Sequence, residues 1–302
     1  MADLDRIIRR RKRQDFMFNI VGILCMLIGI VTLMALLIDL ALDGVPRLSW
    51  QFLTSFPSRF ASQAGILSSW VGTLLVMFVT AATAVPLGMA AGVYLEEYAR
   101  KNRLTGLIEI NIANLAGVPS IIYGLMALGL LVYQFQLGQS ILAGGLTLAF
   151  LILPIVIVST REALRTIPQN IRDAAFALGS TKWQVVRYHL LPYSIGGTLT
   201  GVIIALSRAI GETAPLITIG ALTFIAFLPP APVQTEPPFV TMEWVWSPFS
   251  VLPIQMFNWV SRPDTEFLAN AAGAGLLLIV ITLSMNAIAI LIRYRVRKRI
   301  KW

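Results

Sequence analysis

Two ionisable residues stand in a stretch where charge is costly. Arg208 and Glu212 lie within Ile203–Gly220, IIALSRAIGETAPLITIG, which is otherwise almost wholly uncharged. At a spacing of four they share a helix face and can pair. Counted from Tyr193, a helix carries Arg208 on the order of 20 Å along its axis. A charge at the centre of a membrane helix costs about 2.5–3.5 kcal/mol, so such residues are seldom idle. Two readings stay open. The pair fixes helix packing, or it forms a cationic site for an anion, with Glu212 holding Arg208 and balancing its charge when the site is empty. The planar fork of Arg suits bidentate binding of carboxylate or phosphate oxygens. Ser207 and Thr213 add hydroxyls beside it. Gly211 lets backbone come close, and Pro215 leaves a nearby carbonyl without its helical donor. Asp39 and Glu109 sit near the ends of apolar runs and read as interfacial.

Other chemistries find no residues. The one cysteine, Cys25, lies inside the first apolar run, and the one histidine, His189, has no ligand partner near it in sequence. Neither a disulfide nor a metal site follows. No nucleophile–base pair is visible, so no catalytic residue is assigned. The phosphate-binding pattern G-x-x-x-x-G-K-[ST] is absent, so this chain is expected to bind no cofactor and not to hydrolyse ATP itself.

The elements that carry Arg208 and Glu212 are membrane spans. Of the 302 residues 57% are hydrophobic and 13% charged, against about a quarter charged in soluble domains. The net charge of +9 does not indicate nucleic acid, because the basic residues flank apolar runs and form no basic face. Six stretches reach the roughly 20 residues that a crossing needs: Phe16–Leu40, Ile66–Leu95, Leu107–Tyr133, Ile141–Thr160, Tyr193–Leu228 and Leu268–Ile292. The first is too long for a signal-peptide core and has no cleavage site, so it reads as a retained span. The fifth is too long for one straight crossing and is interrupted at Gly211 and Pro215; interrupted spans tend to line cavities. The expected fold is all-α, a polytopic membrane protein of six transmembrane helices. With no internal repeat or low-complexity linker, residues 1–302 are taken as one domain.

An even number of spans puts both termini on one side. All but Arg47, Arg59, Arg208 and Arg262 of the 24 Lys and Arg residues fall on that same side. By the positive-inside rule that face, with both termini, is cytoplasmic. The two loops facing outward, Ala41–Gly65 and Pro229–Phe267, hold Trp50, Trp244, Trp246 and Trp259, which fit the lipid headgroup level.

The loop after the fourth span, Arg161–Pro192, reads REALRTIPQNIRDAAFALGSTKWQVVRYHLLP. Pro168 suits a helix start. Ile171, Ala174, Ala175 and Leu178 then recur at helical spacing as one apolar stripe. Gly179 marks a stop, and Thr181-x-x-Gln184 forms a capping box for a second short helix. Pro192 closes the loop. Periodicity alone fits a helix lying on the membrane as well as one that a partner approaches closely over Ala174 and Ala175.

Asp173-Ala174-Ala175, then Gly179, then Leu191-Pro192 resembles the EAA motif of bacterial ABC importer permeases, with Asp for the usual Glu. His189 departs from the aliphatic residue usual there. Arg208 to Leu216, RAIGETAPL, and Leu115 to Gly129, LAGVPSIIYGLMALG, resemble the PstA-type permeases of phosphate ABC importers. The similarity runs from about Trp70 to Ile292.

The resemblance implies a type I importer permease, with its core at about 66–292, the coupling loop at 161–192 and the first span at 16–40. It implies that Asp173, Ala174, Ala175 and Gly179 dock into a cytoplasmic ATPase that binds the ATP. It further implies that Arg208 and Glu212, with Ser207 and Thr213, act on phosphate in the pathway. The implied partners are a PstC-like second permease, a PstB-like ATPase dimer and a PstS-like external phosphate-binding protein, in the bacterial inner membrane. Where many members carry an Arg near the end of the fourth span, this chain has Val158, and Arg161 is a weak substitute. Alternatives are a permease for sulfate or molybdate, the PstC-type subunit itself, or a stand-alone anion channel or secondary transporter.

Overall fold

The computed structural model describes residues 2–233, 239 and 241–299. Lys301 and residues 234–238 of the second long loop lie outside the described residues, as do the side chains of Arg6, Arg9, Arg297 and Arg299. Among the described residues the chain is all-α, with one isolated bridge, Ser140 to Pro248. Twelve α-helices are named in chain order: α1 Ala2–Gly44, α2 Trp50–Thr54, α3 Leu67–Val93, α4 Arg103–Leu115, α5 Ser120–Ala127, α6 Ile141–Arg165, α7 Gln169–Ala177, α8 Lys182–Val185, α9 Leu191–Gly211, α10 Ala214–Thr218, α11 Leu252–Val260 and α12 Glu266–Arg299. Single π-helical turns extend α3 to Tyr98 and α5 to Gln134, and another joins α8 to α9. Among the described residues, five helices are long and apolar enough to cross a membrane, or six if the bent pair α4–α5 counts as one span.

That bent pair is the first departure from the sequence-based expectation. Leu107–Tyr133 is not a single rod. The chain turns by 105° between Leu115 and Ser120. Pro119 explains it: the residue before a proline avoids the helical region, and Gly117 adds no resistance to a bend. The first span also differs. Its helix begins at Ala2, so the basic segment Arg9–Arg13 continues the span as helix, as good helix formers do in the absence of Gly or Pro.

α3, α6 and α9 form the core. α3 and α6 run parallel with small residues at the seam. A Cβ on Gly88 would overlap Val156, one on Gly92 would overlap Thr160, and one on Gly145 would overlap Val79. α9 runs antiparallel to α6, with Gly197 against Ala163 and Gly201 against Ser159. Such residues let helix backbones approach where water supplies no hydrophobic drive. α12 crosses α9 antiparallel, joined by Ser207 to Asn286 and by Arg293 to Thr200, both at 2.7 Å. α1 meets the bundle near its end, where Gly44 lies against Ala272 and Leu40 against Gly275.

The two long loops build a second, smaller core. Trp259 is fully buried and packs between Phe52 and Phe267. Arg47 donates to the carbonyls of Ala61 at 2.5 Å and Ser62 at 2.9 Å, and to Asn270, tying α1 to α12. This corrects the headgroup assignment for two of the four tryptophans. Trp244 and Trp259 are buried, whereas Trp50 and Trp246 are exposed. A Trp in an apolar loop has the same composition signal in either place; only the fold distinguishes them.

Candidate functional site

α9 ends where Arg208 and Glu212 meet. Pro215 has no N–H to continue the helix, and the break falls just before it, at Glu212 and Thr213. Glu212 is extended, with φ −78° and ψ 119°. α10 then restarts with Pro215 in its first turn, where the missing N–H costs nothing. The Thr213 carbonyl accepts from the N–H groups of Leu216 and Ile217.

The Arg208 Nε lies 3.4 Å from the Glu212 carboxylate, and the two side chains are 40% and 22% exposed. The pair is therefore open on one face of the chain and not enclosed by helix packing. A charge-assisted hydrogen bond is normally about 2.7–2.9 Å, so the contact is loose. Among the described residues no other hydrogen bond engages Arg208, which leaves both terminal nitrogens of its fork available. Gly211 has open space beside it. Ser207 is placed differently from Arg208. Its hydroxyl lies 2.8 Å from the Ile203 carbonyl and 2.7 Å from Asn286 of α12, so it serves the α9–α12 seam.

The second broken span lies against the first. α5 packs on α10 so closely that a Cβ on Gly124 would overlap Thr218 and Pro215. The Tyr123 hydroxyl donates to the Leu115 carbonyl at 2.8 Å, satisfying a group that the α4–α5 break leaves without its helical donor. Tyr123 also stands within electrostatic reach of Arg208. In the sequence, Leu115–Gly129 stands out only by resemblance, although the signal for its break, Gly117-Val118-Pro119, is present there.

At the basic end of the bundle, Arg161 is buried and lies 2.7 Å from Glu109 and 3.5 Å from Glu96. Arg165 reaches Glu96 at 2.9 Å. Arg161 is therefore neutralised by two carboxylates. Glu109, expected to be interfacial, is a partner of this buried charge.

The loop between α6 and α9 folds over the same end. Arg172 pairs with Glu97 at 2.8 Å and donates to the carbonyls of Ile167 and Leu164 at 2.8 and 3.1 Å. The expected apolar stripe divides. Ala175 is buried with Leu164, Val185 and Leu190, and Ile171 packs against them. Asp173, Ala174 and Leu178 face outward, Leu178 at 88% exposure. A nine-residue helix cannot hide both halves of a stripe that wide. Gly179 stops α7 at φ +81°. The Ser180 N–H donates to Ala175 and the Gly179 N–H to Phe176, a Schellman closure. The Thr181–Gln184 capping box is formed as expected.

Residues 84–302 match the model of a family described as the binding-protein-dependent transport system inner membrane component. The chain is 31% identical over 258 residues to the probable ABC transporter permease protein YqgI of Bacillus subtilis, covering 84% of this chain and 86% of that protein. It is 32% identical over 241 residues to the phosphate transport system permease protein PstA of Haemophilus influenzae, covering 80% and 85%. It is 30% identical over 273 residues to PstA of Yersinia pestis, covering 88% and 85%. A chain of an inward-facing MetNI methionine ABC transporter shares the fold, with a TM-score of 0.54 at 18% identity over 75% of this chain and 91% of that one. A family match over most of the chain, relatives at these identities and the importer-permease architecture agree: this protein belongs to the binding-protein-dependent transport system inner membrane component family and is a permease subunit of an ABC transporter of PstA type.

Proposed function

We propose that the chain is the PstA-like permease of an ATP-driven phosphate importer. The observation that carries this reading is Arg208. It is a cation held loosely by one carboxylate, with its fork free, at the break of an apolar helix. A tetrahedral oxyanion fits that fork, and the resemblance to PstA proteins names phosphate among oxyanions. Glu212 competes for the same guanidinium, so the site releases what it binds.

In this reading the basic end is cytoplasmic, with both termini there. A PstC-like permease completes the pathway on the open face of Arg208, and a PstS-like protein delivers phosphate from outside. A PstB-like ATPase dimer binds the ATP and engages the outward side of α7, at Asp173, Ala174 and Gly179, while Ala175 anchors that helix from below. The exposed Ala174 and Leu178 support a covered surface there. Closure of the ATPases moves α7, and through Arg172 and Glu97 it moves α3.

The test is phosphate uptake by the reconstituted complex. Arg208→Ala abolishes uptake while the subunits still co-purify. Unimpaired uptake refutes the anion site, and preference for sulfate or molybdate in competition refutes phosphate. Uptake without ATP or partners would make the chain a stand-alone channel or secondary transporter.

A further inference from the structure

We propose that Arg293 is a second anion-holding cation, on the cytoplasmic limb of the pathway below Arg208. The inference rests on the importer reading above, but its evidence is separate. A groove of about 480 Å³ runs between α6 and α9, lined among others by Ser159, Glu162, Tyr193, Gly197, Thr200 and Ile204. Tyr193, Gly197, Thr200, Ile204 and Arg208 recur at steps of three or four, which places them on one face of α9. The face of α9 that lines the groove thus continues beyond Ile204, its last lining residue, to Arg208. From Arg208 to Thr200 the axial distance is about 12 Å, too far for one guanidinium to serve.

Arg293 stands at that point. Its Nη1 donates to the Thr200 hydroxyl oxygen at 2.7 Å from α12. The neighbouring cations Arg161, Arg165 and Arg172 all carry carboxylates. No carboxylate pairs with Arg293 among the described residues, so its charge is uncompensated. The serine and threonine hydroxyls of the groove offer no proton in exchange. Ser159 donates to Val156, Thr166 to Ala163, Ser194 to Leu191 and Thr200 to Gly196, each within its own helix turn or the next. Their lone pairs suit a hydrated or partly protonated oxyanion, and the attraction comes from Arg293, which lies behind the lining residue Thr200. An anion leaving Arg208 toward the cytoplasm therefore meets Arg293 next. Glu162 on the same wall, itself paired with Arg165 at 3.2 Å, keeps the hold weak.

The experiment is phosphate uptake by the full complex in proteoliposomes, with co-purification as the assembly control. Arg293→Gln lowers uptake about tenfold, Arg293→Lys keeps most of it, and Asn286→Ala, which removes the other hydrogen bond between α9 and α12 but leaves the charge of Arg293, stays within about twofold. The loss in Arg293→Gln relative to wild type is deeper at about pH 8, where phosphate carries more charge, than at about pH 6. A structural pin has no reason to follow substrate charge. If Asn286→Ala is as impaired as Arg293→Gln, or the loss is equal at both pH values, Arg293 merely fastens α12 and the proposal falls. If the wild-type complex moves another oxyanion in place of phosphate, the phosphate reading fails alone, and the same substitutions scored with that anion decide Arg293.

Discussion

Arg172 of α7 lies 2.8 Å from Glu97, in the turn that ends α3, and donates at the same time to two backbone carbonyls at the end of α6 and just after it. One side chain thereby joins α7 to two core helices. Both partners are nearly buried, at 12% and 11% side-chain exposure. Breaking such a pair from one side leaves an uncompensated charge and costs about 3 kcal/mol or more. Arg172→Ala is expected to free α7 from the bundle: amide exchange in Gln169–Ala177 rises sharply, and ATP hydrolysis by the assembled complex no longer drives uptake. Glu97→Gln, which keeps a hydrogen-bond acceptor, gives the milder form of the same defect.

In the proposed importer, Glu212 sets how firmly Arg208 holds an anion. Removing its charge in Glu212→Gln takes away the competitor. The expected result is tighter phosphate binding with slower release, so that both KM and the maximal uptake rate fall. A loose exposed pair contributes about 1 kcal/mol, or roughly a fivefold change. Concentration-dependent uptake in proteoliposomes measures both quantities. A rise in KM would show that Glu212 helps bind the anion.

Gly179 has a left-handed φ of +81°, with nothing within 4 Å of the point where a Cβ would stand. Within this chain a larger residue meets strain but no clash. Ala there costs about 1–2 kcal/mol from its backbone alone, whereas Asn tolerates the conformation. If the glycine is required because an ATPase approaches it, Gly179→Asn leaves the subunit's thermal stability near wild type yet lowers co-purification with the ATPase. Normal assembly by that variant reduces Gly179 to a helix stop.

Trp259 and Trp50 separate burial from exposure within one residue type. Trp259→Ala empties the core beneath the long loops and is expected to cost about 3–5 kcal/mol. Trp50 is 80% exposed, and Trp50→Ala stays within about 0.5 kcal/mol. Thermal unfolding of the purified subunit in detergent, followed side by side, reads the difference.

Local features are legible in the sequence because their causes are local. The Thr181–Gln184 box, the stop at Gly179 and the break before Pro215 each depend on a few neighbouring backbone groups. What escapes depends on partners far along the chain. Glu96 and Glu109 meet Arg161, and Phe52 meets Trp259, through packing that no spacing rule encodes. The α4–α5 bend is an intermediate case: its proline is visible, but hydropathy counts apolar residues and is blind to direction. The division of the α7 stripe is hidden for another reason. Periodicity marks one apolar side, and only the seat of Ala175 shows which half faces the bundle.

The contact between Gly44 and Ala272 also has a place in time. α1 leaves the ribosome before α12, and its seat in the described bundle is on α12, 228 residues later in the chain. At about 5–20 residues per second α1 waits on the order of ten to fifty seconds for α12. Until then it stands in lipid without that seat, and the emergence of α12 is what recruits it.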